Sequence, residues 1–142
     1  MAAHAQHLWP KLQYGMVPAD VLRVVPGTVS TRDGAVELES YPIADRKFRV
    51  RFEFRLSRLV QVNLRDTVTM ELNERTRRSF DKIIAVLRQT HGNEDYRHVE
   101  SESSGLSGEA GWRKGDSEVV VNISPSTQSH STILVNFFFR GK

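Results

Sequence analysis

Lys47-Phe48-Arg49-Val50-Arg51-Phe52-Glu53-Phe54-Arg55-Leu56 alternates charged with apolar side chains along its whole length. Successive side chains of a strand point to opposite faces, so this period of two is that of a half-buried β-strand. Phe48, Val50, Phe52, Phe54 and Leu56 face a core, and Arg49, Arg51, Glu53 and Arg55 face water. After Ser57-Arg58 the alternation resumes in Leu59-Val60-Gln61-Val62-Asn63-Leu64-Arg65, placing Val60, Val62 and Leu64 together. So short a gap predicts a tight antiparallel hairpin, although no glycine is there to indicate the turn type.

Downstream of the hairpin, Phe80, Ile83, Ile84 and Leu87 recur at i, i+3, i+4 and i+7, the apolar stripe of a helix from about Asn73 to Thr90. Asn73 is the expected N-cap, and Gly92 stands where a left-handed residue ends a helix. Arg75, Arg77, Arg78, Lys82 and Arg88 form its solvated side. Upstream, Pro18 suits the first position of a short helix carrying Val21, Leu22, Val24 and Val25, which Pro26-Gly27 ends. Ala35 to Glu39 reads as a short strand.

Beyond Gly92 the pattern predicts a strand at about Arg97 to Ser103 and a Ser/Gly-rich loop from Ser104 to Gly111. Trp112-Arg113 then leads through Lys114-Gly115-Asp116 into Glu118 to Ser124, a second hairpin turning at Gly115. After a polar connection the last strand is Thr132 to Arg140. The order is αβββαβββ, and the expected fold is α+β. It is a two-layer sandwich of about six antiparallel strands with two helices on one face, in a single domain spanning 1–142. Residues 1–13 are expected to be a flexible N-terminal segment. Strand and helix do not alternate, which counts against a parallel nucleotide-binding sheet.

The C-terminal strands are apolar on both sides: Val119-Val120-Val121, Ile133-Leu134-Val135 and Phe137-Phe138-Phe139. Such strands expect cover on both faces. Six strands spaced ~4.8 Å span about 29 Å, and two helices each ~10 Å across cover one side. Val120, Leu134 and Phe138 therefore call for other shielding. The candidates are the segment with Leu8, Trp9 and Leu12, sheet curvature, a second copy, or a ligand or partner.

The 142 residues carry a net charge of +3, with 39% hydrophobic and 26% charged residues and no cysteine. Thiol nucleophiles, cysteine-ligated zinc and disulfide scaffolds are excluded. No apolar run approaches the ~20 residues of a membrane helix, so no membrane span is expected. His91, Glu94, Asp95 and His98 lie close in sequence, yet no pair has a metal-motif spacing. Gly105-Leu106-Ser107-Gly108 is not a nucleophile elbow. No catalytic residue, metal or cofactor is assigned. Arg49, Arg51 and Arg55, extended by Arg65, form a stripe able to track phosphates, and nucleic acid is the alternative partner. Against it, Glu53 interrupts the row, and the aromatic side chains that would stack on bases lie on the opposite face.

Gly15-Met16-Val17-Pro18-Ala19-Asp20-Val21-Leu22 resembles the opening of small exported bacterial proteins of the SmpA/OmlA and β-lactamase-inhibitor-like group. Phe52-Glu53-Phe54 through Leu59-Val60-Gln61-Val62 resembles the hairpin that follows there. The chain departs from that group in lacking a lipobox cysteine and in placing strands before a second long helix. The resemblance implies a non-enzymatic role in binding or envelope assembly and transfers no binding residue. Ala3-His4-Ala5 fits the small-x-small pattern before a signal-peptidase site, although no apolar stretch precedes it. The expectation is a periplasmic or secreted module, with the cytoplasm as the alternative. It binds another protein, or a second copy, through the C-terminal sheet face and the arginine stripe. The expected binding residues are Arg49, Arg51, Arg55, Arg65, Val120, Leu134 and Phe138.

Overall fold

The computed structural model describes residues 9, 11–115 and 117–139. Ala3-His4-Ala5 and Leu8 lie outside them. The fold is α+β: nine mutually antiparallel strands and two helices among the described residues, with the helices packed into one core against the sheet. Helix α1 is Pro18–Val24. Strands β1 Val29–Ser30, β2 Val36–Ile43, β3 Arg46–Arg55, β4 Arg58–Asp66 and β5 Glu71–Leu72 follow. Helix α2 is Asn73–His91, and β6 Tyr96–Glu102, β7 Gly105–Lys114, β8 Ser117–Pro125 and β9 His130–Phe139 complete the chain. The strands lie in the order β1-β2-β3-β4-β9-β8-β7-β6, with β5 also paired to β9.

The β3–β4 hairpin forms as its alternation requires. Phe48, Val50 and Phe52 are fully buried, and Phe54 is half-buried. A register shift after Glu53 changes which β4 residues turn inward: Leu59, Val62 and Leu64 enter the core, while Val60 is half-buried. Leu56 and Ser57 form the turn, both left-handed with φ of 52° and 62°, as a type I′ hairpin loop requires. Leu56 therefore leaves the expected core face and is 92% exposed. Helix α2 buries Phe80, Ile83, Ile84 and Leu87 against the sheet, and Gly92 ends it with a φ of 78°. The N-cap is Leu72 rather than Asn73, because the Asn73 side chain is drawn instead to the Gln128 carbonyl.

Three strands exceed the expected six. β1 and β5 are only two residues long. β7 occupies Gly105–Lys114, most of which the sequence reads as a loop. Its alternation is hidden because the side chains at 108, 110 and 111 are glycine or alanine. Gly111 has a structural reason: any Cβ there would collide with the Tyr96 ring.

Across the inner face, Phe52, Val62, Phe137, Val119 and Trp112 form one continuous row through five adjacent strands. Trp9 packs on this row, its ring 5.3 Å from Phe52 and 6.4 Å from Phe137, with Tyr41 4.9 Å away. His91 joins it beside Trp112 and Phe137. Trp9 and Leu12 thus pack against the helix-bearing face of the sheet.

Candidate functional site

The register sorts the outer face into three rows running across the strands. The first is Arg49, Arg65, Leu134, Asn122, Glu109 and His98. The second is Glu37, Arg51, Asn63, Asn136, Val120, Gly111 and Tyr96. The third is Glu53, Gln61, Phe138, Glu118 and Arg113. Leu134, Val120 and Phe138 are each separated from one another by polar residues, both along their strands and across the rows. Leu134 stands between Arg65 and Asn122, Val120 between Asn136 and Gly111, and Phe138 between Gln61 and Glu118. Each apolar side chain meets the next only on a diagonal, at roughly 7–8 Å. Val120 is 9% exposed, and the Tyr96 ring lies over Gly111 directly beside it.

A groove of about 650 Å³ opens over the first two rows. It is lined by Arg49, Arg51, Arg65, Asn63, Asn136 and Leu134, with Glu37, Glu53 and Leu64 completing the wall. Of the seven expected binding residues, four therefore meet in one place. Val120 and Phe138 stand on adjoining rows outside its lining, and Arg55 lies at the hairpin end of β3.

The three arginines in the groove differ in electrostatic state. Arg51 holds three carboxylates: Nη1 donates to Glu37 at 2.8 Å, Nε to Glu53 at 2.8 Å, and Nη2 to Asp33. Hydrogen bonds from Thr31 and Arg51 hold the Asp33 carboxyl down at about 2, and the same carboxylates raise the Arg51 guanidinium. Gln61 and Asn63 extend the network to Glu53. Arg49 and Arg65 stand directly opposite one another on β3 and β4, both exposed, with no ion-pair or hydrogen-bond partner among the described residues. Like charges in directly opposed cross-strand positions repel. A bound anion would remove that repulsion and give both guanidinium forks an acceptor. Sequence spacing does not reveal this difference, because Asp33 reaches Arg51 from a turn beyond β1.

The residues weighed for metal binding are engaged elsewhere. Glu94 accepts two 2.7 Å hydrogen bonds from Arg88, Asp95 accepts from the Arg113 backbone, and His98 lies on the outer face of β6. Among the described residues no three His, Asp or Glu side chains gather as a metal site. Ser107 lies within β7. No helix among them is long and apolar enough to cross a membrane. No protein-family model, curated protein or solved structure matches the chain.

Proposed function

We propose that this protein is a non-enzymatic binding module that takes an acidic segment of a partner protein in the groove on the outer face of its sheet. The observation that carries the reading is the opposed pair Arg49 and Arg65, without counter-charge among the described residues while the neighbouring Arg51 is saturated with three carboxylates. Leu134 and Asn136 add an apolar contact and a side-chain amide beside the pair. Nucleic acid is the second reading, because Phe48 and Phe52, which would have to stack on bases, are buried on the opposite face of β3. The resemblance to exported envelope proteins agrees with a binding role, and export to the periplasm belongs to the proposal. The full genomic reading frame tests export directly.

A fluorescein-labelled hexaglutamate peptide and a twenty-nucleotide single-stranded DNA test the binding reading by anisotropy at two salt concentrations. The expected result is peptide binding that weakens about tenfold or more in Arg49→Gln/Arg65→Gln, from the loss of two charge-assisted contacts. An unchanged circular dichroism spectrum shows that the fold is retained. Peptide binding indifferent to both arginines overturns the reading. Tighter binding of DNA through those arginines, falling steeply with salt, replaces it with the nucleic-acid alternative.

A further inference from the structure

Resting on that reading, we infer that the partner's segment crosses the strands in an extended conformation and carries an apolar residue two positions away from an acidic one. The first row presents Arg49, Arg65 and Leu134 on the consecutive strands β3, β4 and β9. Neighbouring strands lie about 4.8 Å apart, so a carboxylate shared by the two arginines sits about 7 Å from the line of Leu134. In an extended chain, residues i and i+2 point the same way at about 6.7 Å separation. The two spacings agree. The intervening residue faces solvent and is unconstrained.

The neighbouring rows explain why one extended chain suits the groove better than a helix. Successive outward residues along a strand put the rows about 6.7 Å apart, whereas a helix with its side chains is about 10–12 Å across. A helix would have to rest on the second row as well, where Arg51 and Asn63 are already engaged, Arg51 with Glu37 and both with Glu53 of the third row. An extended chain lies over the first row and reaches the second only at Asn136. Asn136, next to Leu134 on the outer face of β9, carries an amide with no partner among the described residues, available to the ligand's main chain.

The test is a set of short peptides titrated against isotope-labelled protein, read on the Arg49 and Arg65 side-chain Nε–H signals and the Leu134 methyls. Gly-Glu-Gly-Leu-Gly and its reverse, Gly-Leu-Gly-Glu-Gly, hold the required spacing in both chain directions. Glu-Leu adjacent, Glu and Leu separated by three glycines, and a peptide with Gly in place of Leu are the comparisons. A correctly spaced peptide is expected to bind about three- to tenfold more tightly than the others, as partial burial of one leucine side chain warrants. Leu134→Ser is expected to level the series while hexaglutamate still binds. A level series in the unaltered protein, or a first rank for the three-glycine peptide, overturns the inference and leaves the acidic-segment reading standing. If neither these peptides nor hexaglutamate moves the Arg49 and Arg65 signals, the reading beneath it falls as well.

Discussion

Arg46 on β3 and Asp66 on β4 meet at 2.9 Å with only 11% and 1% of their side chains exposed, and Arg46 also donates to Glu71 at 3.1 Å. The Asp66 carboxylate further accepts the Val68 N–H. The cluster ties the β3–β4 hairpin to the short strand β5 ahead of helix α2.

Breaking this pair from one side leaves a buried charge. Arg46→Met is expected to cost about 3–5 kcal/mol at neutral pH. Arg46→Met/Asp66→Asn, which keeps an acceptor for Val68, should recover much of that loss. Burial pushes the Asp66 carboxyl above its ordinary value. The folded protein therefore binds this proton more tightly than the unfolded chain, so this group's contribution to stability falls as pH rises above the ordinary carboxyl range. The deficit of Arg46→Met should be widest near neutrality and narrow as pH falls. Urea unfolding of both variants across pH 4–7 (roughly the window in which a raised carboxyl titrates) checks it, and a pH-independent deficit contradicts it.

Glu94 behaves in the opposite sense. Hydrogen bonds from Arg88 hold its carboxyl at about 2, and its side chain is 9% exposed. Its contribution is complete above the ordinary glutamate value and is lost as pH falls toward 2. Glu94→Gln should destabilise by about 1–2 kcal/mol at pH 7, a figure reduced for the partly exposed Arg88. The gap between variant and parent should close on acidification, as thermal melts at several pH values would reveal.

The hairpin loop contains two left-handed residues with side chains poorly suited to that conformation. Leu56→Asn/Ser57→Gly should relieve this, because Asn-Gly is the preferred type I′ pair. A gain of about 1 kcal/mol and a melting temperature about 3–5 °C higher are expected. A lower melting temperature would indicate that the exposed Leu56 makes a contact the loop geometry does not explain.

Gly111→Ala places a methyl group inside the Tyr96 ring and should cost about 2 kcal/mol or more. Tyr96 is held over the glycine by its 2.6 Å hydrogen bond to Glu109; burial and that bond together raise its phenol to about 12. The double variant Gly111→Ala/Tyr96→Ser should therefore be more stable than the sum of the single losses implies. Additive losses would show that the ring and the glycine are not coupled.

Strands β3 and β4 and helix α2 are legible in the sequence because each buries one face and wets the other. β7 is not, since glycine, serine and alanine write no amphipathic pattern, and two-residue strands such as β1 and β5 are too short to write any. The outward direction of Arg49, Arg51 and Arg65 follows from β3 and β4 alone. That Leu134 stands beside Arg65 requires knowing that β4 pairs with β9, a contact between residues far apart in the chain. The difference between Arg51 and its neighbours depends on Asp33, brought in by the approach of a turn. Spacing along the sequence encodes neither, so the stripe could be read but not its charge state.

Strand β9 carries a consequence for how the molecule is made. It pairs on one side with β4 and on the other with β8, and so joins the two halves of the sheet, which share no other strand pairing among the described residues. During synthesis β1–β4 and β6–β8 emerge first, each ending in an open edge with Leu64 and Val121 facing an unfinished interior. Only when His130–Phe139 leaves the ribosome can the two halves close on one another. Nascent chains halted before residue 130 should thus be the aggregation-prone species, and delivery of this one segment sets when folding can finish.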